Sequence, residues 1–67
     1  MTLAEMGEEY LRQAAVIRER VTQLRKQVSH MSGLELYRTR GDILRLYTIA
    51  RDLKDTGEYL LHYYEEE

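Results

Sequence analysis

Apolar residues recur along the first half of the chain at Leu3, Met6, Tyr10, Ala14, Ile17, Val21, Leu24, Val28 and Met31. The steps are threes and fours, the period of one face of an α-helix. Two successive fours, Met6 to Tyr10 to Ala14, interrupt an otherwise heptad alternation and predict a local stutter there. The second half carries its own row: Leu36, Ile43, Leu46, Ala50, Leu53, Gly57, Leu60 and Tyr64, strictly alternating from Ile43 onward. Leu44, Tyr47, Ile49, Leu61 and Tyr63 flank it, so the second apolar face is broader than the first.

Both rows begin at a helix start signal. Thr2 with Glu5, and Ser32 with Glu35, have the spacing of a capping box, in which side chain and backbone of each residue satisfy the other. Arg25, Lys26 and His30 suit the negative end of the first helix dipole, whereas Glu65, Glu66 and Glu67 suit the end of the second badly and should fray. Helices are therefore expected over about 3–30 and 33–63, in a single all-α domain spanning 1–67. Gly41 falls on the outer face of the second, where it costs about 1 kcal/mol relative to Ala. A helix running through it is expected, with a break capped by Asp42 as the alternative. The short connection forces an antiparallel hairpin. Counting back from the turn sets Met31 opposite Leu34, Ile17 near Leu46 and Tyr47, Ala14 near Ala50, and Tyr10 near Gly57.

A lone hairpin has one interface and cannot cover both the second seam and its flanks. The expected assembly is a homodimeric four-helix bundle, self-associating through Ile43, Leu46, Tyr47, Ile49, Ala50, Leu53, Gly57, Leu60, Leu61 and Tyr64. All ten Lys and Arg lie between Arg12 and Lys54, while eight of the twelve acids lie toward the two ends. The turn pole is thus basic and the opposite pole acidic, which favours an antiparallel arrangement of the two hairpins, weakly, since exposed pairs contribute little.

Composition narrows the chemistry. There is no cysteine, so disulfides and thiolate zinc sites are excluded. The longest apolar run, Ala14 to Ile17, is far short of the roughly 20 residues of a membrane span. Met1 to Glu5 has neither the basic start nor the apolar stretch of an export signal, so a cytoplasmic chain with no membrane association is expected. Arg40-Gly41-Asp42 spells an adhesion tripeptide but sits inside a helical pattern. Glu58, His62 and Glu66 share one helix face, which offers ordinary four-apart pairing rather than converging metal ligands. Ser29, His30 and Ser32 are neighbours at the turn, where capping is their simpler role, and no Gly-rich phosphate loop exists. No catalytic residue, metal or cofactor is expected, and the chain is read as non-enzymatic.

Six tyrosines stand with no Phe or Trp. Tyr47, Tyr63 and Tyr64 are expected to pack on or beside the seam, Tyr37 and Tyr59 to be exposed. Arginine suits phosphate, and Arg25, Lys26, Arg38 and Arg40 at the turn pole are the candidate contacts to nucleic acid or to an acidic partner. Against a dedicated nucleic-acid binder stand a net charge of −2 and four-apart acid partners such as Glu8 for Arg12, Asp42 for Arg38 and Asp55 for Arg51.

In length and two-helix layout the chain resembles Rop-type hairpin dimers, small RNA-binding four-helix bundles; that likeness implies no particular binding residue. Glu9-Tyr10, Leu24-Arg25 and Tyr59-Leu60-Leu61-His62-Tyr63-Tyr64 resemble small helical proteins of bacterial mobile elements, which implies a bacterial, cytoplasmic setting and no assigned chemistry. The expected function is that of a helical adaptor or small regulator acting through self-association and a protein partner. The alternative is a Rop-like nucleic-acid-binding hairpin dimer, and a third reading is one half of an obligate hetero-complex.

Overall fold

The computed structural model describes residues 2–63. Two helices, α1 (Leu3–Val28) and α2 (Gly33–Leu61), pack along each other as an antiparallel hairpin, with residues 29–32 as the connection. Each ends two residues short of the expected boundary. Backbone bonds from His30 N–H to the Gln27 carbonyl (3.0 Å) and from Met31 N–H to that of Val28 (3.1 Å) wind the end of α1 into a tight turn. Tyr64 and the acidic Glu65 to Glu67, expected to fray, lie outside the described residues.

The Thr2 capping box forms in full. Its hydroxyl accepts from the Glu5 N–H (3.1 Å) and its own N–H donates to the Glu5 carboxylate (3.4 Å). At α2 the expected box is absent: Ser32 is the N-cap but makes no side-chain cap bond. Gly33, the next residue, has φ +61. A left-handed residue at the first helical position turns the following N–H groups away from a hydroxyl that reaches them only over a helical first turn. α2 then runs unbroken through Gly41, as expected.

Gly7 and Gly57 mark a close approach of the two backbones. A Cβ placed on Gly7 would lie 2.7 Å from the Gly57 carbonyl oxygen, and one on Gly57 2.9 Å from that of Gly7. This corrects the Tyr10–Gly57 pairing: Gly57 faces Gly7 and Leu11, because Gly7 itself belongs to the seam. With Gly7 in place of Met6, the first row reads Leu3, Gly7, Tyr10, Ala14, Ile17, Val21, Leu24, Val28, Met31, and the stutter disappears. Half-buried Thr39 closes the corresponding gap in α2 between Leu36 and Ile43. The hairpin is an antiparallel coiled coil of unbroken heptads.

The register fixed by the glycine contact layers every seventh residue. Gly7 meets Gly57, Ala14 meets Ala50 as expected, Val21 meets Ile43 and Val28 meets Leu36. Side-chain size grows layer by layer toward the turn, and burial falls with it. Ala14 and Ala50 are 3% and 1% exposed and Val21 5%, whereas Ile43, Val28 and Leu36 are only half-buried. Leu11 and Leu61 close over the glycine contact from one side; each has its Cγ 3.0 Å from the Cβ position of the opposing glycine. No helix among the described residues is long and apolar enough to cross a membrane.

Candidate functional site

The helices form a rod whose Cα extents are 52 × 15 × 14 Å, one layer of two helices with two broad sides. Its radius of gyration, 15.4 Å, exceeds the about 11 Å of a compact chain of this length. Among the described residues no large side chain is fully buried. The small residues of the central layers let the helices approach closely, and this approach pushes the large seam residues out to one side.

That side carries Leu3, Tyr10, Ile17 and Leu24 from α1 with Leu46, Leu53 and Leu60 from α2, every one half-buried. Ile49 stands beside them, 48% exposed. Two shallow grooves run along it. One is lined by Arg20, Leu24, Asp42, Arg45, Leu46 and Ile49, the next by Tyr10, Ile49, Asp52, Leu53 and Thr56. The bordering positions mix uncharged Met6, Gln13 and Gln27 on α1 and Thr56 on α2 with the charged Arg20, Glu35, Asp42, Arg45 and Asp52.

The opposite side carries a different chemistry. Leu11 and Leu61 over the glycines, and Arg25 and Arg40 sharing a groove with Val28, Ile43 and Leu44, mark its edge. Arg18 lies one heptad from both Leu11 and Arg25. Tyr47 and Lys54 stand at successive heptads between Arg40 and Leu61, and Tyr37, Leu44 and Arg51 border them.

The ten residues expected to self-associate are therefore divided three ways. Ala50 and Gly57, and Ile43 in the same row, face α1 of their own chain. Leu46, Leu53, Leu60 and Ile49 lie on the leucine side, and Tyr47 and Leu61 on the opposite one; Tyr64 is outside the described residues. The broad face of α2 is thus two faces, and α1, expected to be narrow, contributes as many large residues to the leucine side as α2 does. Tyr47 and Tyr63, expected to pack, are 52% and 48% exposed, because their positions beside the seam have no second layer over them; Tyr37 and Tyr59 are exposed as expected. Tyr59 and Tyr63 meet edge to face at 5.7 Å.

Of the four candidate polyanion contacts, the structure brings Arg25 and Arg40 together in one groove, and Arg38 and Arg40 in a second that spans the notch at Gly41 and also holds Tyr37 and Asp42. Lys26 stands on the back of α1. Ion pairs also differ from expectation. Arg12 bonds Glu9 rather than Glu8, and Asp42 takes Arg45 rather than Arg38. Arg51 has no ion pair with Asp55, and Lys54 approaches Glu58 at 3.9 Å. In the first two the bond joins residues three apart rather than four. Arg18, Arg25, Arg40 and Arg51 have no carboxylate within ion-pair distance among the described residues.

His62 caps the C-terminus of α2 through its backbone N–H to the Glu58 carbonyl. No group of three or more His, Asp or Glu among the described residues converges as metal ligands would. Comparison with family models, with curated proteins and with solved structures finds no match for this chain.

Proposed function

We propose that the protein is a non-enzymatic, cytoplasmic helical adaptor or small regulator that works as a homodimer with a protein partner, two hairpins stacking leucine side on leucine side into a four-helix bundle. The observation that carries this reading is the row of half-buried large residues, from Leu3 to Leu24 and from Leu46 to Leu60, along one side of a rod only two helices wide. Covering an apolar side chain of this size contributes about 1.5–3 kcal/mol when complete, so seven such half-covered residues plus Ile49 hold a large unrealised gain. A second copy supplies the same row, and a two-fold axis makes the two self-complementary. Gln13, Gln27 and Thr56 at the border can be buried beside a neighbour at far lower cost than charges.

The test is the solution mass by light scattering at low and high salt, on the intact chain and on Ile49→Asp. A dimer that persists in high salt and is converted to a helical monomer by the exposed Ile49→Asp change is the expected result. A folded, monodisperse monomer for the unaltered chain overturns self-association.

A further inference from the structure

We propose that the side of the hairpin opposite the leucine row binds the phosphate backbone of single-stranded nucleic acid. The segregation of charge between the two sides is the first ground. The positions flanking the seam on this side are Ala4, Leu11, Arg18 and Arg25 on α1 and Arg40, Tyr47, Lys54 and Leu61 on α2, with no acid among them. On the leucine side the equivalent positions hold Arg20 against Glu35 and Asp42. A chain with net charge −2 therefore gathers Arg18, Arg25, Arg40, Arg51 and Lys54 on one side. The acids bordering them are Glu8 and Glu58 at the glycine end, with Glu58 beside Lys54, Asp55 one turn from Arg51, and Asp42, which lines a groove with Arg40 and Tyr37 and bonds Arg45.

The second ground is that the charge is available. Arg18, Arg25, Arg40 and Arg51 are all exposed and make no ion pair among the described residues, a state they share with Arg20, Lys26 and Arg38, whereas Arg12 and Arg45 are taken by Glu9 and Asp42. Unpaired guanidiniums are the groups that bind phosphate with least to give up. In the register of the hairpin the five cations span about 22 Å of the rod, as a track rather than a point.

The third ground selects a single strand. Tyr37 and Tyr47, 77% and 52% exposed, stand among these cations on the same side. Exposed rings between cations offer stacking faces to unpaired bases, which a duplex keeps stacked on one another and a polyacidic peptide lacks. The track lies across the rod from the leucine row, so strand and second hairpin do not compete for it.

Fluorescence anisotropy with labelled oligo-dT and oligo-U, read against a duplex of equal length and against polyglutamate, tests this. Binding at low salt should fall with a log–log salt slope of about −3, four arginines on a single strand. Arg25→Gln with Arg40→Gln should weaken it at least about tenfold and bring the slope down by about 1.4. Tyr47→Ala should cost about tenfold with single strands and little with duplex. Arg12→Gln with Lys26→Gln, removing the same charge from the back of α1, should have far less effect. Should the Arg25/Arg40 variant melt early, the salt slope of the intact chain and the Tyr47→Ala contrast decide. Four outcomes overturn the proposal: no binding at low salt, equal losses in the two double variants, tighter binding to duplex, or displacement by polyglutamate at equal charge, which marks an acidic protein partner.

Discussion

The two ends of the hairpin solve the same problem with opposite means. At the glycine end, side chains are removed so that backbone touches backbone, Leu11 and Leu61 close over the contact, and α1 begins with a complete capping box. At the turn end the layers are Val21 with Ile43 and Val28 with Leu36, all but Val21 only half-buried, and the N-cap of α2 makes no side-chain bond. One end is held by close approach and the other by covalent connection. An end joined by a four-residue link loses little by packing loosely; an end with no link must pack tightly or open.

Substitutions can break this comparison, and the largest effects should come from alanine at the glycine contact, as in Gly57→Ala. Its new methyl would meet the Gly7 carbonyl oxygen at 2.9 Å and Leu11 at 3.0 Å. Helices that must part to admit it should lose roughly 2 kcal/mol. Thermal unfolding followed by circular dichroism should show a midpoint about 10 °C lower. Combining it with Gly7→Ala should cost less than the sum, because one separation of the helices admits both methyls.

Gly33→Ala at the turn end should cost about 1–2 kcal/mol for a different reason. Nothing lies within 4 Å of the added carbon, but φ +61 is strained for any residue with a Cβ. The cause is separable by urea titration of Gly33→Asn, which tolerates that conformation and should recover most of the loss.

The caps sharpen the contrast. Thr2→Ala should destabilise by about 1 kcal/mol, since it removes a formed box, while Ser32→Ala should change stability by less than about 0.5 kcal/mol. Equal effects in a denaturant titration would mean that the two helix starts are held alike. One change should be a gain. Gly41→Ala meets only the Arg45 guanidinium, at 3.7 Å and in ordinary contact, and should stabilise α2 by about 0.5–1 kcal/mol in the same titration.

The helices were legible because their signals are local. Period, caps and the short connection all act within a few residues, and the unbroken passage through Gly41 followed from its place on the outer face. What misled the reading was the seam. Counting apolar side chains passes over Gly7, which has none, and Thr39, which is polar, yet burial of the one and half-burial of the other complete both heptad rows. Admitting Gly7 moves the partner of Gly57 by almost one turn, from Tyr10 to Gly7 and Leu11. The same omission concealed the sides of the rod. Once the small residues are known to face each other, the large ones must lean to one flank and the arginines to the other. The pairing of particular charges was beyond the pattern, since three-apart and four-apart acids compete at nearly equal energy.

The glycine crossing also has a place in time. It joins residues from opposite ends of the described chain, so its loop-closure cost is the highest in the hairpin, and helices growing out from the turn reach it last. Contacts made after the rate-limiting step govern how fast a protein falls apart rather than how fast it assembles. Gly57→Ala should therefore accelerate unfolding and leave the refolding rate nearly untouched, while Gly33→Ala slows refolding. The two glycines would then appear on opposite limbs of one chevron plot.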